Sequence, residues 1–451
     1  MWMRSDRVLV GGVILGAGLL FGTVGTSIAQ DAGSAVAPAA SQTAAPSADQ
    51  RSARERGEAK IWGLDGEAKD PAAGVALLEQ AVAEGDVSAM RTLGDILMWG
   101  GPVPADPQRG VTLLERAVKA GDGRARTILG KHLLGGWVIP RDAARGRELL
   151  EERVAADDPD AQTALSQFYL YGTGLPKDWT KARALAEAAA KAGKGEALWK
   201  FGEMLMWSER DPQAAQAALE RAGELGEAGA WATLAEGAMY GFLGGRSTSR
   251  AKFAGYAAKA RAAGNDRIEV LDAIRQMWGI TLRASGPKTI ERLTEAADAG
   301  NGEAAHYLVA LLRDGNQLNI RKDRPAAQAA LDKYKTLFTD GDYERYALSI
   351  EAARRRDPAG LAAMAERVQA EPGALSGDGA KQLYAANPNL AIYLIQQDLK
   401  KQGLYSGPLD GLAGKRTIRG MARVCRTLPG DLDCREKILS PSVVGAILTR
   451  E

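Results

Sequence analysis

Residues 70–106 read DPAAGVALLEQAVAEGDVSAMRTLGDILMWGGPVPAD, and residues 106–142 follow the same pattern as DPQRGVTLLERAVKAGDGRARTILGKHLLGGWVIPRD. In both stretches an Asp-Pro pair precedes apolar residues that recur every three or four positions, which is typical of an amphipathic helix. An aspartate side chain accepts hydrogen bonds from the free amides of a first helical turn, and proline suits the first helical position. The pattern therefore predicts helices that begin at Pro71 and, 36 residues later, at Pro107.

The same signals continue in both directions along the chain. The predicted N-caps are Asp70, Asp106, Asp142, Asp178, Asp211, Ser249, Ser285, Asp323 and Asp357. The predicted left-handed residues that end these first helices are Gly85, Gly121, Asp157, Gly193, Gly226, Gly264, Gly300 and Gly341. A second helix follows each of them and carries a small residue at a fixed phase, at Gly94, Gly130, Ser166, Gly202, Ala235 and Ala273. Since glycine inside a helix costs about 1 kcal/mol relative to alanine, its recurrence predicts close helix packing.

These residues resemble the Sel1-like repeat family, a relative of the tetratricopeptide repeats. The resemblance rests on Glu84-Gly85-Asp86, Leu93-Gly94 and Tyr171-Gly172-Thr173-Gly174, and it extends over residues 58–372. It implies an all-α fold, a right-handed α-solenoid of helix pairs, and a non-catalytic interaction scaffold. Repeat units stack because one helix pair cannot bury its own apolar face.

Residues 373–388 are predicted to connect the repeats to a second module, residues 389–451. This module resembles the peptidoglycan-binding domain family of small three-helix modules. The motif residues that carry the resemblance are Leu399, Gly403, Tyr405, Gly407, Asp410, Gly411, Gly414 and Thr417. Ala413 departs from the family, which commonly has an aromatic residue before this glycine, Gly414. The resemblance implies a peptidoglycan contact. A purely structural or protein-binding use is the alternative, and most motif residues are expected to shape the loop.

The N-terminus is predicted to direct export. Residues 1–29 combine Arg4 and Arg7, an apolar run and the small residues Ser27-Ile28-Ala29, as a secretory signal does. Cleavage after Ala29 is expected, and an uncleaved anchor is the alternative. Residues 30–57 are rich in Ala, Ser and Pro and are predicted to form a disordered linker. In the oxidising compartment that export implies, Cys425 and Cys434 would form a disulfide, with Pro429-Gly430 as the turn.

Composition excludes several classes of function. The chain has 451 residues, 58 Lys and Arg against 56 Asp and Glu, two histidines and two cysteines. A net charge of +2 argues against a protein built mainly to coat nucleic acid or an anionic membrane. So few His and Cys residues argue against a zinc site. No metal ligand, cofactor-binding residue or catalytic residue is predicted.

Five aromatic residues fall at nearly the same phase, at the end of the second helices: Trp99, Tyr171, Trp207, Tyr240 and Trp278. They are candidate groove residues that could stack on sugars or grip peptides. The alternative, which we favour, is that this phase packs under the next repeat.

The sequence therefore predicts a non-enzymatic periplasmic adaptor that binds an envelope protein through its repeats and peptidoglycan through its C-terminal module. One alternative is a periplasmic regulator of a sensor kinase or of exopolysaccharide assembly machinery, in which the module does not bind glycan. A wall hydrolase is a further alternative. It would need carboxylates such as Glu203 and Glu236, which have no recognisable catalytic context in the sequence.

Overall fold

The computed structural model describes residues 51–64, 66–243, 248–316, 318–371, 373–428 and 432–450. These residues form two compact units, divided between Thr289 and Ile290. Their regular structure is helical throughout, with no strand in the described ranges. The predicted all-α class is therefore confirmed. The predicted signal peptide, residues 1–29, lies outside the described residues.

The first unit is a series of antiparallel helices. They are α1 (Ala53–Trp62), α2 (Pro71–Ala83), α3 (Val87–Trp99), α4 (Pro107–Lys119), α5 (Gly123–Gly135), α6 (Ala143–Ala155), α7 (Pro159–Tyr171), α8 (Trp179–Lys191), α9 (Glu196–Met204), α10 (Pro212–Glu224), α11 (Ala228–Tyr240), α12 (Arg250–Ala262) and α13 (Arg267–Trp278). Helix α9 continues into a π-helical turn, Leu205–Glu209. Helix α14 (Gly286–Asp298) spans the division between the units.

The predicted helix starts are present in the structure. Each of the nine predicted caps accepts a hydrogen bond from the backbone N–H three residues later, as Asp70 does from Ala73 at 3.0 Å and Asp106 from Arg109 at 3.1 Å. Seven of the eight predicted stops have a positive φ, including Asp157 at 54°. The exception is Gly341, which lies in the first turn of a helix and was wrongly predicted, because Asp340 already belongs to that helix.

The recurring small residues hold pairs of helices in close contact. A Cβ at Gly94 of α3 would lie 3.1 Å from the carbonyl oxygen of Gly110 in α4, and a Cβ at Gly110 would lie 2.9 Å from that of Gly94. Gly130 and Gly146 repeat this arrangement between α5 and α6. In the next pair the Ser166 hydroxyl donates to the carbonyl of Ala182 at 2.7 Å. The close pairs are therefore α3 with α4, α5 with α6, and α7 with α8, each a second helix with the first helix that follows it.

Helix α1 corrects the predicted extent of the linker. It begins at Ala53, inside the range 30–57 that was predicted to be disordered. Ser52 and Glu55 form a reciprocal capping box at its N-terminus. Gly57 then packs against the backbone of Gly74, as the other paired small residues do. Residues 53–57 are helical because they belong to the first of the repeated pairs.

The second unit is also helical, and its helix pattern changes towards the C-terminus. Its helices are α15 (Gly302–Asp314), α16 (Arg324–Lys333), α17 (Asp340–Ala352), α18 (Pro358–Ala370), α19 (Gly377–Ala386), α20 (Pro388–Lys401), α21 (Lys415–Cys425) and α22 (Pro441–Leu448). Helix α19 lies in the predicted connecting segment 373–388, which is therefore not a plain linker. Among the described residues no helix has both the length and the hydropathy that a membrane span requires.

Helices α20, α21 and α22 share one apolar core, and α20 belongs to a second core as well. Ile395, Leu399, Met421 and Val444 lie in the first of these cores. Leu390, Tyr393 and Leu394 on α20 pack instead with residues of α17, α18 and α19. The Asn387 amide also donates to the carbonyls of Ala352 and Arg355, at 2.8 and 2.7 Å. The C-terminal helices are thus packed onto the preceding helices of the same unit.

Candidate functional site

Exposed aromatic rings follow the ends of the second helices in the first unit. Trp99, Trp137 and Tyr171 leave 41%, 49% and 44% of their surface exposed. The rings of Trp99 and Trp137 are 6.1 Å apart, and Trp137 stacks on Phe168 at 5.8 Å. We call Trp99, Trp137 and Tyr171 the aromatic row.

The rings of the aromatic row are partly packed and partly exposed. Trp99 lies 5.2 Å from the ring of His132 in the next second helix, so part of its surface is packed. Burial raises the pKa of Tyr171 to about 12, and Glu203 and Glu196 of the following repeat contribute to the shift. Trp99 and Trp137 thus contact the neighbouring repeat, and all three rings still present a large face to solvent.

The three later aromatics are more enclosed. Trp207 is half-buried and meets the edge of Phe242 at 5.0 Å between ring centres. Tyr240 is half-buried, and burial raises its pKa to about 12, with Glu236 adding to the shift. Trp278 is half-buried in the last turn of α13. The structure therefore groups Trp99 and Tyr171 with Trp137, a residue that the sequence pattern missed.

The glutamates considered for hydrolysis bind neighbouring side chains. The half-buried Glu236 forms an ion pair with Arg267 at 2.6 Å. Burial raises the pKa of Glu236, although Arg267 opposes the shift. Glu203 accepts a hydrogen bond from Thr233 at 3.2 Å and pairs with Lys200 at 3.3 Å. The contacts of Glu203 with Thr233 and of Glu236 with Arg267 join successive second helices.

The two histidines are packed in aromatic surroundings. His132 is buried beside Trp99, and His306 stacks on Phe338 at 4.1 Å and meets Tyr346 edge-on. In the part of the chain that the structure describes, no group of three or more His, Cys, Asp or Glu residues is placed to hold a metal ion.

The C-terminal motif forms an ordered loop between α20 and α21, and Gln396 is at its centre. The fully buried Gln396 accepts hydrogen bonds from the backbone N–H groups of Asp410 and Gly411 at 3.1 and 2.9 Å. Its amide nitrogen lies 2.8 Å from an Asp410 carboxylate oxygen and 3.0 Å from the Leu412 carbonyl. The hydrogen bond from the Gln396 amide to Asp410, with one that the backbone N–H of Leu412 donates to the same carboxylate, lowers the pKa of the Asp410 carboxyl below its ordinary value. Gln396 was missed because it lies outside the motif.

Most of the motif residues stabilise the conformation of this loop. Leu399 is buried in the core, the Tyr405 hydroxyl donates to the carbonyl of Pro408 at 2.7 Å, and the Thr417 hydroxyl donates to that of Leu412 at 3.1 Å. The motif glycines provide either a positive φ or close packing. Gly403 and Gly411 both have a φ of 71°, Gly407 lies against the Tyr405 ring, and Gly414 precedes α21 as its N-cap. The exposed loop residues are Gln402, Gly403, Ser406, Pro408, Leu412 and Gly414.

A disulfide joins Cys425 at the end of α21 to Cys434. The Cα atoms are 5.8 Å apart, and Cys425 is buried in the core of the three C-terminal helices. The structure thus contains the pairing expected for an exported chain. The predicted turn Pro429-Gly430 lies outside the described residues.

A cleft of about 600 Å³ lies in the second unit, among α16, α17 and α18. Its charged lining residues are Glu344, Glu351, Arg354, Arg355, Arg367 and Glu371. Glu351 pairs with both Arg355 and Arg367. The two signs of charge are balanced, so the lining favours neither an anion nor a cation.

Comparison with known proteins identifies the repeats. The Sel1 repeat family model matches residues 52–86, 87–122, 124–152 and 159–194. These segments are Sel1 repeats, and each consists of one of the close helix pairs, from α1 with α2 to α7 with α8. Sel1 repeat proteins act as protein–protein interaction scaffolds, and the family is generally non-catalytic. The predicted α-solenoid of helix-pair repeats is confirmed.

Several solved structures are similar to this chain. A Sel1 repeat protein from Oxalobacter formigenes is 23% identical, with 64% of this chain and 83% of that chain covered and a TM-score of 0.41. A protective antigen with an SLR fold from uropathogenic Escherichia coli is 17% identical, with 87% and 86% covered and a TM-score of 0.40. An immunity protein from Pseudomonas aeruginosa is 17% identical, with 47% and 83% covered and a TM-score of 0.32. A search of curated proteins found no match.

Proposed function

We propose that this chain is an exported, non-enzymatic adaptor of the bacterial envelope, which binds another envelope protein through its Sel1 repeats. The observation that carries the proposal is the aromatic row, in which Trp99, Trp137 and Tyr171 present exposed rings on consecutive repeats. Trp and Tyr are enriched among the residues that dominate binding energy in protein interfaces. The disulfide supports an oxidising compartment such as the periplasm.

The aromatic row suits a protein partner because its rings are held before binding occurs. Trp137 is fixed between Trp99 and Phe168, so little side-chain entropy remains to be lost when a partner covers it. Each ring also offers an apolar face together with a polar edge, the indole N–H or the phenol hydroxyl.

A photo-crosslinking experiment in living cells tests this contact. A photoreactive phenylalanine replaces Trp137 in the full chain, and a control carries it at the exposed Thr180. We expect a discrete crosslinked protein from position 137 that is absent from position 180. The same product from both positions, or none from position 137, would argue against the aromatic row as the docking surface.

We further propose that the C-terminal module contacts peptidoglycan through the loop between α20 and α21. The support is an ordered loop, fixed by Gln396, whose outer side includes Ser406, Pro408, Leu412 and Gly414. Tethering such a module to a partner-binding domain makes even weak wall affinity effective, because it raises the local concentration.

One observation favours the second candidate function, a periplasmic regulator of a sensor kinase or of exopolysaccharide assembly in which the module does not bind glycan. The polar side chains of the motif are already used within the structure: Asp410, Tyr405 and Thr417 all form hydrogen bonds with backbone groups of the loop. Sedimentation of the chain with insoluble peptidoglycan distinguishes the two functions.

A further inference from the structure

The charged residues are unevenly distributed along the chain, although its net charge is small. Residues 388–451 contain ten Lys and Arg against six Asp and Glu, whereas the whole chain carries only +2. This C-terminal segment is therefore basic, and the rest of the chain is slightly acidic. Five of these ten cations belong to α21 or follow it directly: Lys415, Arg416, Arg419, Arg423 and Arg426.

These five side chains form one exposed face, which we call the basic face. At about 100° per residue they fall within an arc of about 100° around the helix axis. The buried residues of α21, among them Met421 and Val424, occupy the opposite side. All five cations are exposed, and within the described ranges none of them forms an ion pair or a side-chain hydrogen bond.

The fold itself does not require these charges. Cations near a helix C-terminus are stabilised by the helix dipole, which can account for Arg423 and Arg426. The dipole opposes cations in the first turn, yet Lys415 and Arg416 occupy it and no acidic residue accompanies them. Lys415 and Arg416 are unpaired among the described residues and lie where the helix dipole disfavours positive charge. Their presence there indicates a binding partner with negative charge.

We propose that the basic face docks on an anionic phospholipid surface. A helix that presents its charges opposite to the protein core forms a ridge, and such a ridge can lie along a planar array of headgroup phosphates. Leu412, three residues before Lys415, leaves 57% of its surface exposed and provides an apolar group that can enter the acyl boundary.

A nucleic acid would provide phosphates but no apolar region for this leucine to enter. The basic face also lacks the Asn, Gln and aromatic residues that read or stack on bases.

Vesicle flotation of the full chain tests the proposal. Vesicles of equimolar phosphatidylglycerol and phosphatidylcholine are compared with vesicles of phosphatidylcholine alone, at low salt and at high salt. We expect binding to the anionic vesicles only, and its loss at high salt because the exposed charges are then screened. Each Lys or Arg near an anionic surface contributes about fivefold in affinity, so Arg419→Gln with Arg423→Gln should weaken binding about 30-fold.

Matched variants make the result specific. Arg116→Gln with Arg124→Gln removes two exposed arginines from the first unit, changes the net charge equally, and should alter binding less than about twofold. Lys415→Gln with Arg426→Gln repeats the test at the two ends of the basic face if the first double variant does not fold.

Three results would overturn the proposal. They are equal binding to neutral vesicles, an equal loss in the Arg116/Arg124 control, and binding to duplex DNA that exceeds vesicle binding and has the same dependence on Arg419 and Arg423. The vesicles contain no peptidoglycan and no protein partner, so the outcome is independent of both contacts in the proposed function.

Discussion

The indole ring of Trp137 lies over Gly135, at the end of α5. A Cβ at Gly135 would lie 2.6 Å from the ring. Position 135 is 36 residues after Trp99 and 36 before Tyr171, so it is the aromatic position of its repeat. Glycine at this position leaves space that the ring of Trp137 fills from the following loop. Trp137 thus provides an exposed ring in the repeat that has glycine at this position.

Gly135→Ala should displace this ring without unfolding the chain. Because Trp137 is half exposed, the added methyl group can push the ring outward, away from Trp99 and Phe168, and we expect the free energy of unfolding to change by less than about 1 kcal/mol. The indole N–H resonance of Trp137 should shift in an NMR spectrum, and crosslinking at the row should fall. An unchanged Trp137 resonance would show that the ring does not depend on the glycine.

Gly146→Ala should destabilise the first unit. A Cβ at this position would lie 2.5 Å from the backbone nitrogen of Leu134 and 2.9 Å from the carbonyl oxygen of Gly130, and backbone atoms cannot turn aside. Overpacking of this kind costs about 1–3 kcal/mol and outweighs the gain of about 1 kcal/mol in helix propensity.

Gly255→Ala is the matched control for this substitution. Gly255 lies within α12, and a Cβ there would have no neighbour within 4 Å. It should raise the free energy of unfolding by up to about 1 kcal/mol. Urea denaturation measures both variants. A Gly146→Ala chain as stable as wild type would contradict the close pairing of α5 and α6.

Much of the fold can be predicted from the sequence because the stabilising interactions repeat. A cap such as Asp106, a stop such as Gly121 and a small residue such as Gly130 recur at a fixed spacing, and each has a local physical effect. Features that occur once have no period to indicate them. Gln396 acts through contacts with residues up to 21 positions away. Trp137 lies two residues after the aromatic position of its repeat, which is Gly135, and its ring lies over that glycine. Their positions depend on tertiary packing.

His306 should make stability depend on pH. Its burial beside Phe338 and Tyr346 lowers its pKa, although Asp342 and a hydrogen bond with the backbone of Leu337 oppose the shift and Arg345 adds to it. The unfolded chain therefore binds a proton more readily than the folded chain. Stability is fully present above the unfolded pKa, about 6.5, and is lost as the pH falls through the folded value.

Urea denaturation at about pH 7.5 and about pH 5.5 measures this dependence. Wild type should be less stable at the lower pH. His306→Phe retains an aromatic ring but cannot be protonated, so it should lose part of that difference. The same pH dependence in both chains would place its origin in other groups.

The disulfide should contribute to the stability of the second unit. Closing a loop between residues nine positions apart contributes about 2–3 kcal/mol in the chain-entropy description. Cys425→Ser with Cys434→Ser should lower the free energy of unfolding by that amount. A reductant should destabilise wild type equally and leave the double variant unchanged. A reductant effect on the double variant would mean that another process is being measured.

Sedimentation of the purified full chain with insoluble peptidoglycan sacculi tests the wall-binding adaptor most directly. Point variants suit this test better than truncation at Asn387, because α20 packs against α18 and shares its core. We expect wild type to pellet with the sacculi, Ser406→Glu on the exposed loop to remain soluble, and the control Thr180→Glu to pellet as wild type does. Failure of wild type to pellet, or equal pelleting of all three chains, would contradict a wall contact through this loop.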